Sequence, residues 1–79
     1  MLMDCMDVIM KGNNHITKYN IEFGIRSNWR QTGEIVSELC TLRLVEKVGS
    51  YFQLSQIGIQ TLLSYRNFKE VLEVNQIQN

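Results

Sequence analysis

Arg26, Asn28, Arg30 and Gln31 fall within a window of six residues and carry the side chains of this chain best suited to selective chemistry. Arginine donates paired hydrogen bonds to guanine, and asparagine or glutamine pairs with adenine; each such contact discriminates by about 1–3 kcal/mol. Arginine also neutralises phosphate, and the free N–H groups of a helix N-terminus favour an anion. Lys18 upstream and Lys47 downstream are candidates for flanking phosphate contacts. The other reactive residues do not form a set. Cys5, Cys40 and the single His15 fall short of the four ligands of a structural zinc site. Both cysteines have apolar neighbours (Met3 and Met6; Leu39 and Leu42), where a thiol packs as a small hydrophobe. His15 comes after Asn13-Asn14 and is read as a surface or capping residue. Asp4 and Asp7 share a helix face, as surface acids commonly do. There is no phosphate-cradling glycine loop, nucleophile elbow or metal-ligand spacing. The expectation is a protein that is not an enzyme, with no metal, cofactor or small-molecule ligand.

The chain must position these residues with little material. Its 79 residues amount to one domain, and a domain of this size buries only about 60% of its unfolded surface. Dimerisation is one remedy. Hydrophobic residues make up 44% and charged residues 20%, the balance of an ordinary globular protein. Eight basic and eight acidic side chains cancel, which argues against a strongly basic wrapping protein. Apolar runs reach three residues, as in Val8-Ile9-Met10, where a membrane span needs about 20. The first residues, Met1 to Asp7, carry acids where a signal peptide carries bases. The expected location is the cytoplasm, away from membranes.

Leu2, Cys5, Met6 and Ile9 recur at helical spacing, and Gly12-Asn13-Asn14 supplies a stop, so the first helix is expected over 2–11. The stretch from Ile16 to Ile25 fits either a helix, through Tyr19 and Phe23, or a strand, through alternating Ile21, Phe23 and Ile25. A helix is chosen, with Thr17 near its start, because a clearer helical segment comes directly after it. From Ser27 or Asn28, either able to cap, this third helix runs to Leu42. Its core face is expected to carry Thr32, Ile35, Val36, Leu39 and Leu42, opposite Arg30, Glu34, Ser37 and Thr41. Leu44–Val48 and Tyr51–Leu54 flank Gly49-Ser50, a glycine-first pair that suits a type II′ hairpin. Tyr51 and Phe52 alternate, so one should face the core and the other solvent. Ser55 can cap a last helix from Gln56 to about Val74 or beyond, although Gly58 denies it a capping box. That helix is apolar on two sides: Ile57, Tyr65, Phe68, Val71 and Leu72 on one, Ile59, Leu63, Val74 and Ile77 on the other. Two apolar sides imply two neighbours, and the second stripe is assigned to a second copy of the chain.

The order helix, helix, helix, hairpin, helix resembles the small archaeal-type winged helix-turn-helix DNA-binding proteins. Three pieces carry the resemblance: Ile35-x-x-x-Leu39-x-x-Leu42-x-Leu44-Val45-Glu46-Lys47 is similar to a recognition helix entering its wing; Tyr51-Phe52-Gln53-Leu54-Ser55-x-x-Gly58-x-x-x-Leu62 is similar to the second wing strand and the start of the next helix; and Trp29-Arg30-Gln31 resembles the opening of the recognition helix. The resemblance covers 17–63. It implies a mainly α chain with a small β-hairpin (an α+β fold), residues 1–64 forming the winged domain and 65–79 extending the last helix as a dimerisation segment. It further implies a homodimer that binds double-stranded DNA, regulates transcription and associates with the nucleoid. Lys18, Arg26, Asn28, Arg30, Gln31 and Lys47 are the expected DNA-binding residues; Trp29 is expected to pack on the second helix and fix the turn. Departures from the pattern are the link from Gly24 to Asn28, the missing glycine between Leu42 and Val45, and the neutral charge. From His15 to Lys47 five bases face four acids. The alternatives are a winged domain that binds only protein and a nonspecific nucleoid protein.

Overall fold

A computed structural model describes the backbone of residues 1–78 and the side chains of 1–72. The fold is α+β, mainly helical with a small antiparallel sheet. The elements are α1 (Leu2–Lys11), β1 (Ile16–Thr17), α2 (Lys18–Ile25), α3 (Trp29–Thr41), β2 (Val45–Val48), β3 (Tyr51–Leu54) and α4 (Gln56–Gln78). The sheet order is β1-β3-β2, with Ile16 opposite Phe52 and Val45 opposite Leu54. One core joins Cys5, Met6 and Ile9 of α1 to Ile21, to Ile35, Val36 and Leu39 of α3, to Val45, Phe52 and Leu54 of the hairpin, and to Leu62 of α4.

The second helix starts beside Thr17 as expected, but Ile16 and Thr17 also form a short strand before it. Ile16 and Thr17 are a β-prone, β-branched pair, and they add a third strand alongside β3. Thr17 serves both elements: its backbone is extended at φ −84°, ψ 163°, and its hydroxyl accepts from the Asn20 N–H at 3.3 Å. Asn13 and Asn14 both sit at positive φ, a conformation asparagine tolerates. The Asn14 side chain then continues the ladder. Its Oδ1 accepts from the Leu54 N–H at 2.6 Å, and its Nδ2 reaches the Leu54 carbonyl at 3.4 Å.

Helix α2 continues through Gly24, so its link to α3 is only Arg26-Ser27-Asn28. Helix α3 buries Thr32, Ile35, Val36 and Leu39 as expected, but Leu42 is 52% exposed. The helix has ended by then: Leu42 is its C-cap, and the chain turns away at Arg43, φ 62°. The Leu44 N–H donates to the Leu39 carbonyl and the Arg43 N–H to the Cys40 carbonyl, both at 3.0 Å. These two bonds form a Schellman closure, with arginine in the left-handed position usually held by glycine.

Val48 pairs with Tyr51, leaving Gly49-Ser50 as a two-residue turn. Gly49 has φ 63° while Ser50 stays out of the positive-φ region, as a type II′ turn requires. Phe52 points inward and Tyr51 outward. Ser55 caps α4, accepting from the Gly58 N–H at 3.0 Å while donating to the Arg43 carbonyl at 2.7 Å. Gly58 has a second reason to lack a side chain: any Cβ there would collide with the Leu44 carbonyl oxygen.

Helix α4 differs most from expectation. It spans 23 residues, or about 34 Å at 1.5 Å per residue. Its core-facing residues are Gly58 and Leu62, which lie between the two apolar stripes. Ile57, Tyr65, Phe68, Val71 and Leu72 are all exposed, as is Leu63. Ile59 packs partly against the core. Val74 and Ile77 lie outside the residues whose side chains are described. The radius of gyration, 13.6 Å, exceeds the roughly 11.6 Å expected for a compact chain of this length, because α4 runs past the body that anchors its first turns.

Candidate functional site

The short α2–α3 link brings four of the six candidate DNA-binding residues to one exposed corner. Arg26 is the C-cap of α2, exposed and left-handed at φ 56°. Asn28 is the N-cap of α3; its Oδ1 accepts from the Gln31 N–H at 2.7 Å. That oxygen is therefore engaged in capping, and only the amide N–H groups remain for a base or phosphate. Arg30 and Gln31 occupy the first turn of α3 and are exposed. Arg30 Nε lies 3.5 Å from Glu34 Oε1, a surface i,i+4 pair worth only about 0.3–0.5 kcal/mol, which a phosphate can displace. Below the corner, Ser27 and fully buried Thr32 share a hydrogen bond between hydroxyls. This bond satisfies the one polar side chain of α3 that enters the core and fixes the link to the helix.

The two lysines stand differently. Lys18, the first residue of α2, reaches across to α3 and places Nζ 3.9 Å from the centroid of the Trp29 ring. Trp29 thus meets α2 as expected, but through an ammonium rather than an apolar seam, and remains 53% exposed. Lys47 belongs to the hairpin, where its Nζ lies 6.0 Å from the Phe52 ring. His15 stacks on Tyr51 with centroids 4.0 Å apart, against the outer face of β3.

Two exposed aromatic residues were not singled out as functional by their sequence. Tyr19 and Phe23 support the helical period of α2, yet only Ile21 of that helix is buried. Phe23 is 82% exposed and Tyr19 70%. Together with Glu22, Arg26 and Ser27 they line a surface groove of about 490 Å³ that opens beside the corner. The signal available in the sequence was their position opposite Ile21 on a helix.

The cysteines behave as packing residues. Burial pushes the Cys5 thiol up to about 11, with Cys40 adding to the effect, and burial also raises Cys40. Neither is a ready thiolate at neutral pH. Among the described residues no three His, Cys, Asp or Glu side chains come together to hold a metal ion, and no helix is long and apolar enough to cross a membrane. In comparisons with known proteins, no family model and no curated protein matches this chain.

Proposed function

We propose that this chain is a winged helix-turn-helix protein that binds double-stranded DNA as a homodimer and regulates transcription. The observation that carries the reading is the corner at the start of α3, where exposed Arg26, Asn28, Arg30 and Gln31 follow one another across the α2–α3 link. A helix entering the major groove reads bases with its N-terminal residues, and here those residues are the ones with base-reading chemistry. Arg30 and Gln31 read base edges; Arg26, the Asn28 amide and the N-terminus of α3 hold phosphate. Glu34 and Glu38 lie farther along α3, so only its first turn approaches the duplex closely. The β2–β3 hairpin, with Lys47, acts as the wing on the flanking backbone. Lys18 contributes mainly by fixing α2 against α3. The exposed apolar surface of α4 supplies the dimer contact, and two copies of α3 read two half-sites. Such a protein works in the cytoplasm on the nucleoid.

The test is anisotropy titration of duplexes recovered by binding-site selection, over a range of salt. Arg26→Ala with Arg30→Ala is expected to weaken binding at least tenfold and to flatten the salt slope by about 0.9 for each phosphate no longer neutralised. Unchanged affinity and slope in a folded double variant reject the assignment. A protein-binding module is the second reading, favoured by the overall neutral charge and by the Glu34 partner of Arg30.

A further inference from the structure

The aromatic pair on α2 lies outside the duplex-reading corner and is not used by it. Tyr19 and Phe23 are one helical turn apart on the side opposite Ile21, and Arg26, just past the end of α2, lines the same groove. Four residues of α-helix rise about 6 Å. That is close to the roughly 6.8 Å needed to seat one base between two rings at about 3.4 Å from each. Arg26 in that groove supplies a cation for the adjoining phosphate, and Ser27 a hydroxyl. Half-buried Glu22 in the groove provides an acceptor suited to an exocyclic base amine. Rings this exposed stack on any base, since every base offers a π-face.

We propose that Tyr19 and Phe23 clamp an unpaired nucleobase of DNA, with Arg26 shared between this clamp and the duplex-reading corner. The inference rests on the DNA-binding reading and deepens it: the preferred substrate is duplex DNA with a flipped or unpaired nucleotide beside the site of α3. Arg26 makes the two surfaces continuous, because it lines the aromatic groove and caps the helix that leads into the corner.

The experiment uses the full chain and three fluorescein-labelled probes: a fully paired duplex, the same duplex with a central unpaired cytidine loop, and single-stranded oligodeoxycytidylate. Wild type is expected to bind the looped duplex at least about tenfold more tightly than the paired one. Tyr19→Ala with Phe23→Ala should remove that preference while leaving paired-duplex affinity within about twofold, and Tyr19→Phe should retain it. Both residues are exposed, so the thermal melt of the double variant should match wild type. Paired-duplex binding without preference for the loop overturns the clamp and leaves the duplex reading intact. Binding to none of the probes overturns both. Loop preference that survives the double alanine variant overturns the clamp, as does a finding that the pair instead mediates self-association measured by sedimentation without affecting any probe.

Discussion

The Lys18 ammonium sits over the Trp29 indole, 3.9 Å from the ring centroid, and so fastens the first residue of α2 to the first residue of α3. A cation–π contact of this kind contributes about 0.5–1 kcal/mol when partly exposed. Lys18→Ala should therefore lower stability by about that amount and shift Trp29 emission. Arg30→Ala, whose side chain is 90% exposed in its ion pair, should change stability by less than about 0.5 kcal/mol. Urea melts monitored by Trp29 fluorescence separate the two. Equal destabilisation would mean that the contact does not hold the helices.

Where a periodic apolar pattern coincided with burial, the sequence was an adequate guide: α1, the α3 face from Thr32 to Leu39, and the Gly49-Ser50 hairpin all formed as expected. It was a poor guide where a long-range partner decided the outcome. Ile16 and Thr17 became a strand because β3 offered them an edge. Asn14 gained its role from a residue 40 positions away. The unusual glycine at position 58 became intelligible through the contact between the end of α3 and the start of α4. On α4, apolar residues outnumbered the places in the core, so hydrophobicity alone could not select the Gly58–Leu62 face. The basic residues around the α3 start were legible as a cluster because they are nearly consecutive. The capping use of Asn28 and the indole partner of Lys18 depend on how the chain turns between α2 and α3, which no local pattern records.

Arg43 gives a stability prediction that is independent of function. A side chain at φ 62° carries a left-handed penalty of about 1–2 kcal/mol, whereas adding a glycine costs about 0.4–1 kcal/mol through the entropy of the unfolded chain. Arg43→Gly should therefore stabilise the fold by about 0–1.6 kcal/mol, the difference between those opposing effects, and raise Tm by a few degrees. Differential scanning calorimetry measures it. A drop in Tm would mean that the arginine side chain makes a contact worth more than its backbone strain.

Asp7 on α1 accepts hydrogen bonds from Arg66 on α4 and from Lys11, the latter pair 3.0 Å apart. Those bonds, Arg66 first, hold its carboxyl below the ordinary 3.8. A lowered folded pKa means that the carboxylate's contribution is fully present above the unfolded value and is lost as pH falls through the folded one. Asp7→Asn should consequently be less stable than wild type at neutral pH. The gap should close progressively once the pH drops below 3.8. Thermal melts across that range, run on both proteins, provide the check; a gap independent of pH would assign the loss to shape rather than charge.

The exposed apolar residues of α4 are the surface that the proposed dimer would cover. Most helical stability in proteins comes from packing rather than intrinsic propensity, yet Leu63, Tyr65, Phe68, Val71 and Leu72 stand exposed on a helix that has left the body of the fold. A second copy laid along this surface would cover these residues and hold two α3 corners at a fixed separation. Phe68→Glu with Leu72→Glu should convert a dimer to a monomer in sedimentation equilibrium, because like charges would be forced into the apolar contact. Both side chains are exposed within the single chain, so the folded core should survive. Leu63→Glu alone should weaken association less if Tyr65, Phe68 and Leu72 form the centre of the contact, and more if the stripe containing Leu63 does. The affinity for a two-half-site duplex should fall with the dimer, while affinity for a single half-site should not. A wild-type chain that sediments as a monomer at high concentration would reject the dimer and, with it, the expectation of paired half-sites.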